Sequence, residues 1–206
     1  MTLTRAAFIV AALAVPVVAV AQDRMPPIPA ERLTDAQKQA MAEFRTARKA
    51  ELSGPFWPLL RSPEVMTRAR AMGDYLRFTS VLPPRLSEFT ILITARQWSQ
   101  AYEWDLHAPL AEKGGLAPSI ISAVSEGRRP NRMADDEEVL YTFCDELHRN
   151  KSISDATYAR AVARFGEQGV IDILGITGYY TMLAMVLNTA RTPIPEGHAP
   201  LRTFPR

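Results

Sequence analysis

The sequence is poor in cysteine and has no excess of charge of either sign. Its 206 residues include one cysteine, which excludes an intrachain disulfide framework, a Cys-x-x-Cys redox pair and a cysteine-based zinc site. The 24 Lys and Arg are balanced by 22 Asp and Glu, so the charge does not favour a nucleic acid as partner. The sequence also lacks a glycine-rich phosphate loop and a Gly-x-Ser-x-Gly nucleophile elbow.

The first 21 residues have the layout of a secretory signal peptide. A short basic region (1–5) precedes an apolar run (6–18), and Ala19-Val20-Ala21 is a small-x-small cleavage site. The apolar run is shorter than the ~20 residues of a spanning helix. The sequence therefore predicts cleavage after Ala21, a periplasmic or secreted protein, and no membrane association after cleavage. The alternative is a retained membrane anchor.

The rest of the chain is predicted to be helical throughout. Thr34 opens a capping box, Ser62-Pro63 and Pro83-Pro84 mark two further helix starts, and Gly114-Gly115 ends a helix. Residues 54–58 contain two prolines and a glycine and predict a loop. No stretch alternates as a strand does. We therefore expect one all-α domain of about eight helices.

Three units are predicted along the exported chain. Residues 22–53 form an N-terminal extension with one helix, residues 54–195 form the helical domain, and residues 196–206 form a tail. A break at Phe165-Gly166 separates the last two helices. The final helix is largely apolar from Val170 to Leu187 but contains Asp172 and small residues. This composition predicts a buried core helix; packing against another subunit, or a membrane span, is the alternative.

One pair of residues has the spacing of an acid–base site. Glu103 and His107 are four residues apart, so a helix places them on one face, where the carboxylate can orient the imidazole. Glu88 lies in the preceding apolar helix, and a reversal near Ser99 would bring it towards His107. The alternative is a solvated Glu103–His107 pair, with Glu88 paired to Arg85 near a helix start.

A metal site needs three or four converging ligands, and the sequence offers no such set, so no metal is predicted. Cys144 lies on the apolar stripe of its helix, which predicts a buried side chain rather than a reactive thiol.

Three segments resemble the carboxymuconolactone decarboxylase family, which shares its fold with the alkyl hydroperoxidase D-like proteins. They are Leu82-Pro-Pro-Arg-Leu-Ser-Glu88, Ala101-Tyr-Glu-Trp-Asp-Leu-His107 and the Gly115-Leu-Ala-Pro that follows. The resemblance is strongest over residues 82–127. It implies an all-α fold and a homo-oligomer, a trimer or a hexamer.

The resemblance also implies that two branches of related proteins use different chemistry. In the hydroperoxidase branch a Glu, a Cys-x-x-Cys and a His carry the redox reaction. Glu88 and His107 stand at the positions of that Glu and His, whereas Gln100 and Glu103 stand where the cysteines would be. Thiol peroxidase activity is therefore not expected. The decarboxylase branch needs neither the cysteines nor a cofactor.

The sequence thus predicts an exported, cofactor-free enzyme that decarboxylates or isomerises a small lactone or organic acid. His107 is expected to donate or shuttle the proton, Glu103 to orient His107 or share its proton, and Glu88 to be a buried second carboxyl group. The alternatives are a peroxidase-like antioxidant protein without the cysteine pair, and a non-catalytic oligomeric protein that binds a small molecule.

Four further residues are expected to bind the substrate. Tyr102 and Trp104 flank Glu103 and are predicted to line the pocket. An anionic substrate needs a cation, and Arg85 and Arg96 are the candidates because they lie near Glu88 in the sequence.

Overall fold

Helices make up the regular structure of the part of the chain that the structure describes. The computed structural model describes residues 22–195 and 201. After a 3-10 turn at Ala30–Arg32, the helices are α1 (Asp35–Arg48), α2 (Phe56–Leu59), α3 (Pro63–Phe78), α4 (Pro84–Gln97), α5 (Ala101–Lys113), α6 (Pro118–Ser125), α7 (Asp135–Asn150) and α8 (Asp155–Ala190). No strand occurs among the described residues, and the all-α prediction is confirmed. The predicted signal peptide (1–21) and all of the tail except Leu201 lie outside them.

Local signals account for most helix starts. The Thr34 hydroxyl accepts a hydrogen bond from the Gln37 backbone N–H, while the Gln37 side chain accepts one from Thr34 N–H, which completes the capping box. Pro63 and Pro84 occupy the first positions of α3 and α4, where no intrahelical N–H is needed.

The loop predicted over residues 54–58 is wrong in part. The structure forms the short helix α2 over Phe56–Leu59, with Pro55 at its N-cap and Pro58 in its first turn. Proline is tolerated there because backbone N–H groups of a first turn have no carbonyl partner within the helix. Two prolines so placed begin a helix rather than break one.

α4 is the central helix, packed against α5, α7 and α8. Phe89, Ile91 and Leu92 are fully buried, and each contributes about 1.5–3 kcal/mol by leaving water. The buried hydroxyls of Thr90 and Thr94 donate to backbone carbonyls one turn earlier, so they are not left unpaired. This apolar helix gives Glu88 a rigid, largely dry support.

α8 changes direction at Gly166, whose φ of 70° lies outside the helical region. α8 is long and apolar enough to cross a membrane by length and composition, and it is the one such helix among the described residues. However, Ile173, Ile176 and Leu183 are buried in the core, and α8 packs against α4 and α7. The Asp172 carboxylate accepts hydrogen bonds from Val81 N–H and the Tyr75 hydroxyl, at 3.0 and 3.1 Å. This is the packing of a core helix.

The turn between α4 and α5 reverses the chain. Ser99 adopts a left-handed φ of 46°, and the Gln100 side chain caps α5 by accepting from Tyr102 N–H at 2.6 Å. The Gln100 amide also donates to Asn188 on α8 at 2.8 Å. The start of α5 is therefore fixed against both α4 and α8, and residues of α4 and α5 that are distant in sequence come to face each other.

Candidate active site

The imidazole of His107 lies between two carboxylates. Its Nδ1 is 2.6 Å from Glu88 Oε2, and its Nε2 is 3.4 Å from Glu103 Oε2. His107 is 1% exposed and Glu103 is 3% exposed, so water does not screen these contacts. Carboxylates only accept hydrogen bonds, and both ring nitrogens can donate only when the imidazole is protonated. The structure thus brings Glu88, Glu103 and His107 together in an arrangement that favours the imidazolium.

Opposing effects act on the pKa of His107. Burial disfavours the charged ring, but the hydrogen bonds and negative charges of Glu103 and Glu88 outweigh burial and raise the pKa above its ordinary value of 6.5. The second carboxylate oxygen of Glu103, Oε1, is buried and has no hydrogen-bond partner. The site therefore offers a proton on His107 and, beside it, an acceptor that a ligand could satisfy.

A cavity of about 90 Å³ opens beside this pair. Glu103 and His107 form part of its wall, whereas Glu88 lies on the far side of the imidazole and does not line it. The other lining residues are aromatic, apolar, hydroxyl-bearing or basic: Arg48, Ser53, Pro55, Phe56, Arg77, Tyr102, Leu106, Tyr179, Tyr180 and Leu183. The rings of Tyr180 and His107 are nearly perpendicular, with centroids 5.0 Å apart. A small molecule in this cavity would contact both His107 and Glu103.

Two glycines allow tyrosine rings to form this wall. Gly54 has a φ of 51°, and a Cβ there would lie 2.7 Å from Cζ of Tyr102. Gly73, on α3, approaches Tyr179 so closely that a Cβ would lie 2.6 Å from its Cζ. Neither position leaves room for a side chain without displacing a ring.

Of the four residues that the sequence assigned to substrate binding, one lines the cavity and three do not. Tyr102 lines the cavity, whereas Trp104 packs partly buried against the core and does not. Arg85 instead forms ion pairs with Asp136, at 2.8 Å, and with Glu137 on α7.

Arg96 is also absent from the lining of the cavity. Its guanidinium donates to the Ser125 carbonyl at 3.2 Å and to the Ser99 hydroxyl at 3.0 Å. Nearness in sequence to Glu88 does not bring either arginine of α4 to the site, because α4 also faces α6 and α7.

The cations at the cavity are two arginines that the sequence did not indicate. Arg48 ends α1 and Arg77 lies near the end of α3, far from Glu103 and His107 in the sequence. Tyr179 and Tyr180 reach the cavity from α8. No local pattern could identify these residues, since only the packing of α1, α3 and α8 brings them to α5.

The structure offers no thiol to this site. Cys144 is fully buried on α7, and burial raises the pKa of its thiol to about 12. Gln100 and Glu103 act as a helix cap and a partner of His107. Over residues 22–195 and 201, no group of three or more His, Cys, Asp and Glu is placed to hold a metal ion.

Comparison with known proteins identifies the fold. No family model matches the sequence, and no curated protein matches it. The structure is similar to that of a protein of unknown function from Agrobacterium tumefaciens, a candidate antioxidant defence protein AhpD (TM-score 0.55, 19% identity, covering 66% of this chain and 94% of that one). It is also similar to the debrominase Bmp8, in a cysteine-to-alanine variant bound to 2,3,4-tribromopyrrole (TM-score 0.65, 10% identity, covering 86% of this chain and 94% of that one). At these identities the similarity shows an alkyl hydroperoxidase D-like fold.

Proposed function

We propose that this protein, an alkyl hydroperoxidase D-like helical domain, catalyses cofactor-free acid–base chemistry on a small lactone or organic acid. The observation that supports the proposal is a buried imidazole held between two carboxylates, with one carboxylate and the imidazole forming the wall of a cavity. Enzymes use such groups to move protons to and from carbon. The reaction is a decarboxylation or an isomerisation.

In a decarboxylation, the bond between the carboxylate and the adjacent carbon breaks and carbon dioxide leaves. The electron pair stays on that carbon and is delocalised into the lactone carbonyl, so no cofactor is needed to accept it. The imidazolium of His107 then donates a proton to the carbon, and the resulting neutral imidazole regains a proton from solvent. In an isomerisation, Glu103 removes a proton from one carbon and the imidazolium of His107 returns a proton at another. The proton then passes from Glu103 to His107 across their 3.4 Å contact, which restores both groups.

The two carboxylates have different roles in this scheme. Glu88 fixes Nδ1 of His107 at 2.6 Å from outside the cavity and acts by positioning the ring. Glu103 lines the cavity, and its unpartnered Oε1 can accept a proton or a hydrogen bond from the substrate. Because the cavity is far below the 300–1,000 Å³ of drug-sized sites, the substrate is small, or only its reacting end enters.

A peroxidase function finds less support in the site. Thiol chemistry needs an accessible thiolate, whereas Cys144 is fully buried with a pKa of about 12.

The predicted signal peptide leads us to propose that the enzyme works in the periplasm or outside the cell. The N-terminal sequence of protein recovered from that compartment would begin at Gln22 if cleavage follows Ala21.

The test is turnover of a panel of small γ-lactone carboxylic acids by the chain from residue 22. Carbon dioxide release detects decarboxylation, and proton NMR in D₂O detects isomerisation through deuterium at carbon. We expect His107→Gln and Glu103→Gln to lower the rate by about 10²–10⁴-fold. Glu112→Gln, an exposed glutamate on the same helix, is the matched control and should leave the rate unchanged.

Two results would contradict the proposal. One is full activity in His107→Gln, which would place the chemistry elsewhere. The other is saturable binding of the acids with neither carbon dioxide release nor deuterium uptake, which would favour a non-catalytic binding protein.

A further inference from the structure

An open groove lies outside the cavity and meets it. The groove has a volume of about 620 Å³ and lies between the end of α1, the segment after it and the end of α3. Arg48, Ser53 and Arg77 line both the groove and the inner cavity. A group bound beside these three residues would therefore lie at the boundary between the groove and the cavity.

The two arginines at this junction differ in how their charges are compensated. Arg48 donates to the Asp74 carboxylate at 2.8 Å, and its guanidinium packs over the rings of Phe44 and Phe56. Arg77 also packs over an aromatic ring, that of Phe78, but it forms no ion pair with any carboxylate among residues 22–195 and 201, and its Nε is buried without a hydrogen-bond partner. A buried, unpaired N–H is costly, and it calls for an acceptor that the described side chains do not supply.

The inner site also needs a cation if its ligand is an anion. Two ionised carboxylates around one imidazolium leave a net negative charge beside the cavity. This charge would repel an incoming carboxylate in a poorly screened environment. Of the two arginines that line the cavity, Arg77 is the one without a carboxylate partner in the described chain, so its guanidinium can offset that repulsion.

We propose that Arg77 binds a carboxylate of an anionic substrate where the groove meets the cavity, with Arg48 as a second cation held in place by Asp74. The geometry of a guanidinium matches a carboxylate with two parallel hydrogen bonds. The bound carboxylate is one that the reaction leaves intact, because an ion pair to a departing carboxylate would stabilise the ground state and slow its loss. This assignment rests on the proposed function for the reaction, but the binding step does not require turnover.

The experiment compares an acid with its neutral analogue. Binding of 5-oxotetrahydrofuran-3-carboxylate and of the corresponding carboxamide is measured by calorimetry at neutral pH and low salt. We expect the wild-type protein to prefer the acid by about 10- to 100-fold, and Arg77→Gln to lower this ratio to near one while still binding the amide. Arg77→Lys keeps the charge but not the two parallel hydrogen bonds, so its ratio should be intermediate.

Arg68→Gln is the matched control, because Arg68 lies on the same helix, is exposed and pairs with Glu64. Its ratio should equal that of the wild type. If Arg77→Gln does not fold, Arg77→Lys decides, provided that its melting temperature is unchanged. Equal binding of acid and amide by the wild type, no binding of the acid at millimolar concentration, or a wild-type ratio in both Arg77 variants would overturn the proposal.

The outcomes separate this inference from the proposed function. Loss of acid preference in Arg77→Gln, with no turnover of any acid by the wild type, would support Arg77 as the binding residue and count against the enzyme. Turnover that depends on His107, with an unchanged KM in Arg77→Gln, would support the enzyme and remove Arg77 from substrate binding.

Discussion

Each ring nitrogen of His107 faces a carboxylate, so the folded protein prefers the protonated ring. The pKa of His107 is raised above 6.5 despite burial, by Glu103 and Glu88. A raised pKa contributes stability that is fully present below the unfolded pKa and is lost as pH rises through the folded pKa. We therefore expect the free energy of unfolding to fall as the pH is raised above about 6.5, and this fall to be smaller in His107→Gln. Urea titrations of both proteins between about pH 6 and pH 9 would measure it.

His148 supplies the internal comparison, because its pKa is shifted in the opposite direction. Burial, and then the charge of Lys151, lower its pKa to about 4. The unfolded chain binds this proton more readily, so His148 reduces stability as the pH falls from about 6.5 towards 4. His148→Gln should therefore change how the free energy of unfolding varies below about pH 6.5, and should leave its fall above that pH unchanged. If the free energy of unfolding fell equally steeply above about pH 6.5 in His107→Gln and in the wild type, the environment described for His107 would be contradicted.

The residues of the site divide by how far apart they lie in sequence. The Glu103–His107 pair can be predicted from its spacing on one helix, and Glu88 is a candidate because the sequence indicates a reversal near Ser99. The cations cannot be assigned in this way. Arg85 and Arg96 are close to Glu88 in sequence but bond to α7 and α6 residues, while Arg48 and Arg77 arrive from α1 and α3.

At the scale of helices, the sequence predicts starts and stops well where capping chemistry is local. The Thr34 capping box and the break at Gly166 both follow from their own neighbours. The short helix α2 is not predicted, because Pro55 and Pro58 read as helix breakers although prolines fit a first turn. The close approaches that shape the cavity are not local either: Gly73 meets Tyr179, more than a hundred residues later.

Gly73→Ala tests whether α3 must approach Tyr179 as closely as the structure shows. In an exposed helix, Gly→Ala gains up to about 1 kcal/mol. At Gly73 the new methyl group would overlap the Tyr179 ring, so we expect a loss of about 1–3 kcal/mol instead. Arg68→Ala is the control and should change stability by less than about 0.5 kcal/mol, because Arg68 is exposed on the same helix and its pair with Glu64 lies at the surface. Denaturant unfolding of both variants measures the difference, and a stabilised Gly73→Ala would contradict the packing.

At the scale of the whole molecule, α8 has two apolar faces, and only one is buried in the described chain. Ile173, Ile176 and Leu183 lie in the core, whereas Ile171, Leu174 and Met185 are 64%, 36% and 45% exposed. The spacing of the exposed set places it on one side of the helix. A row of exposed apolar residues on a core helix is typical of a surface that another chain covers.

The family resemblance implies a trimer or a hexamer, and the exposed face of α8 is a surface on which such copies could pack. We therefore propose that the protein is a homo-oligomer, a trimer or a hexamer, in which α8 packs against another copy. Light scattering of the chain from residue 22 should give the mass of that oligomer. Ile171→Glu should shift the mass towards the monomer, because a charge buried without a partner opposes association. Tyr158→Glu, also exposed on α8 but before the break at Gly166, is the matched control and should not. A monomeric wild type would contradict the prediction and leave this face of α8 to a different partner.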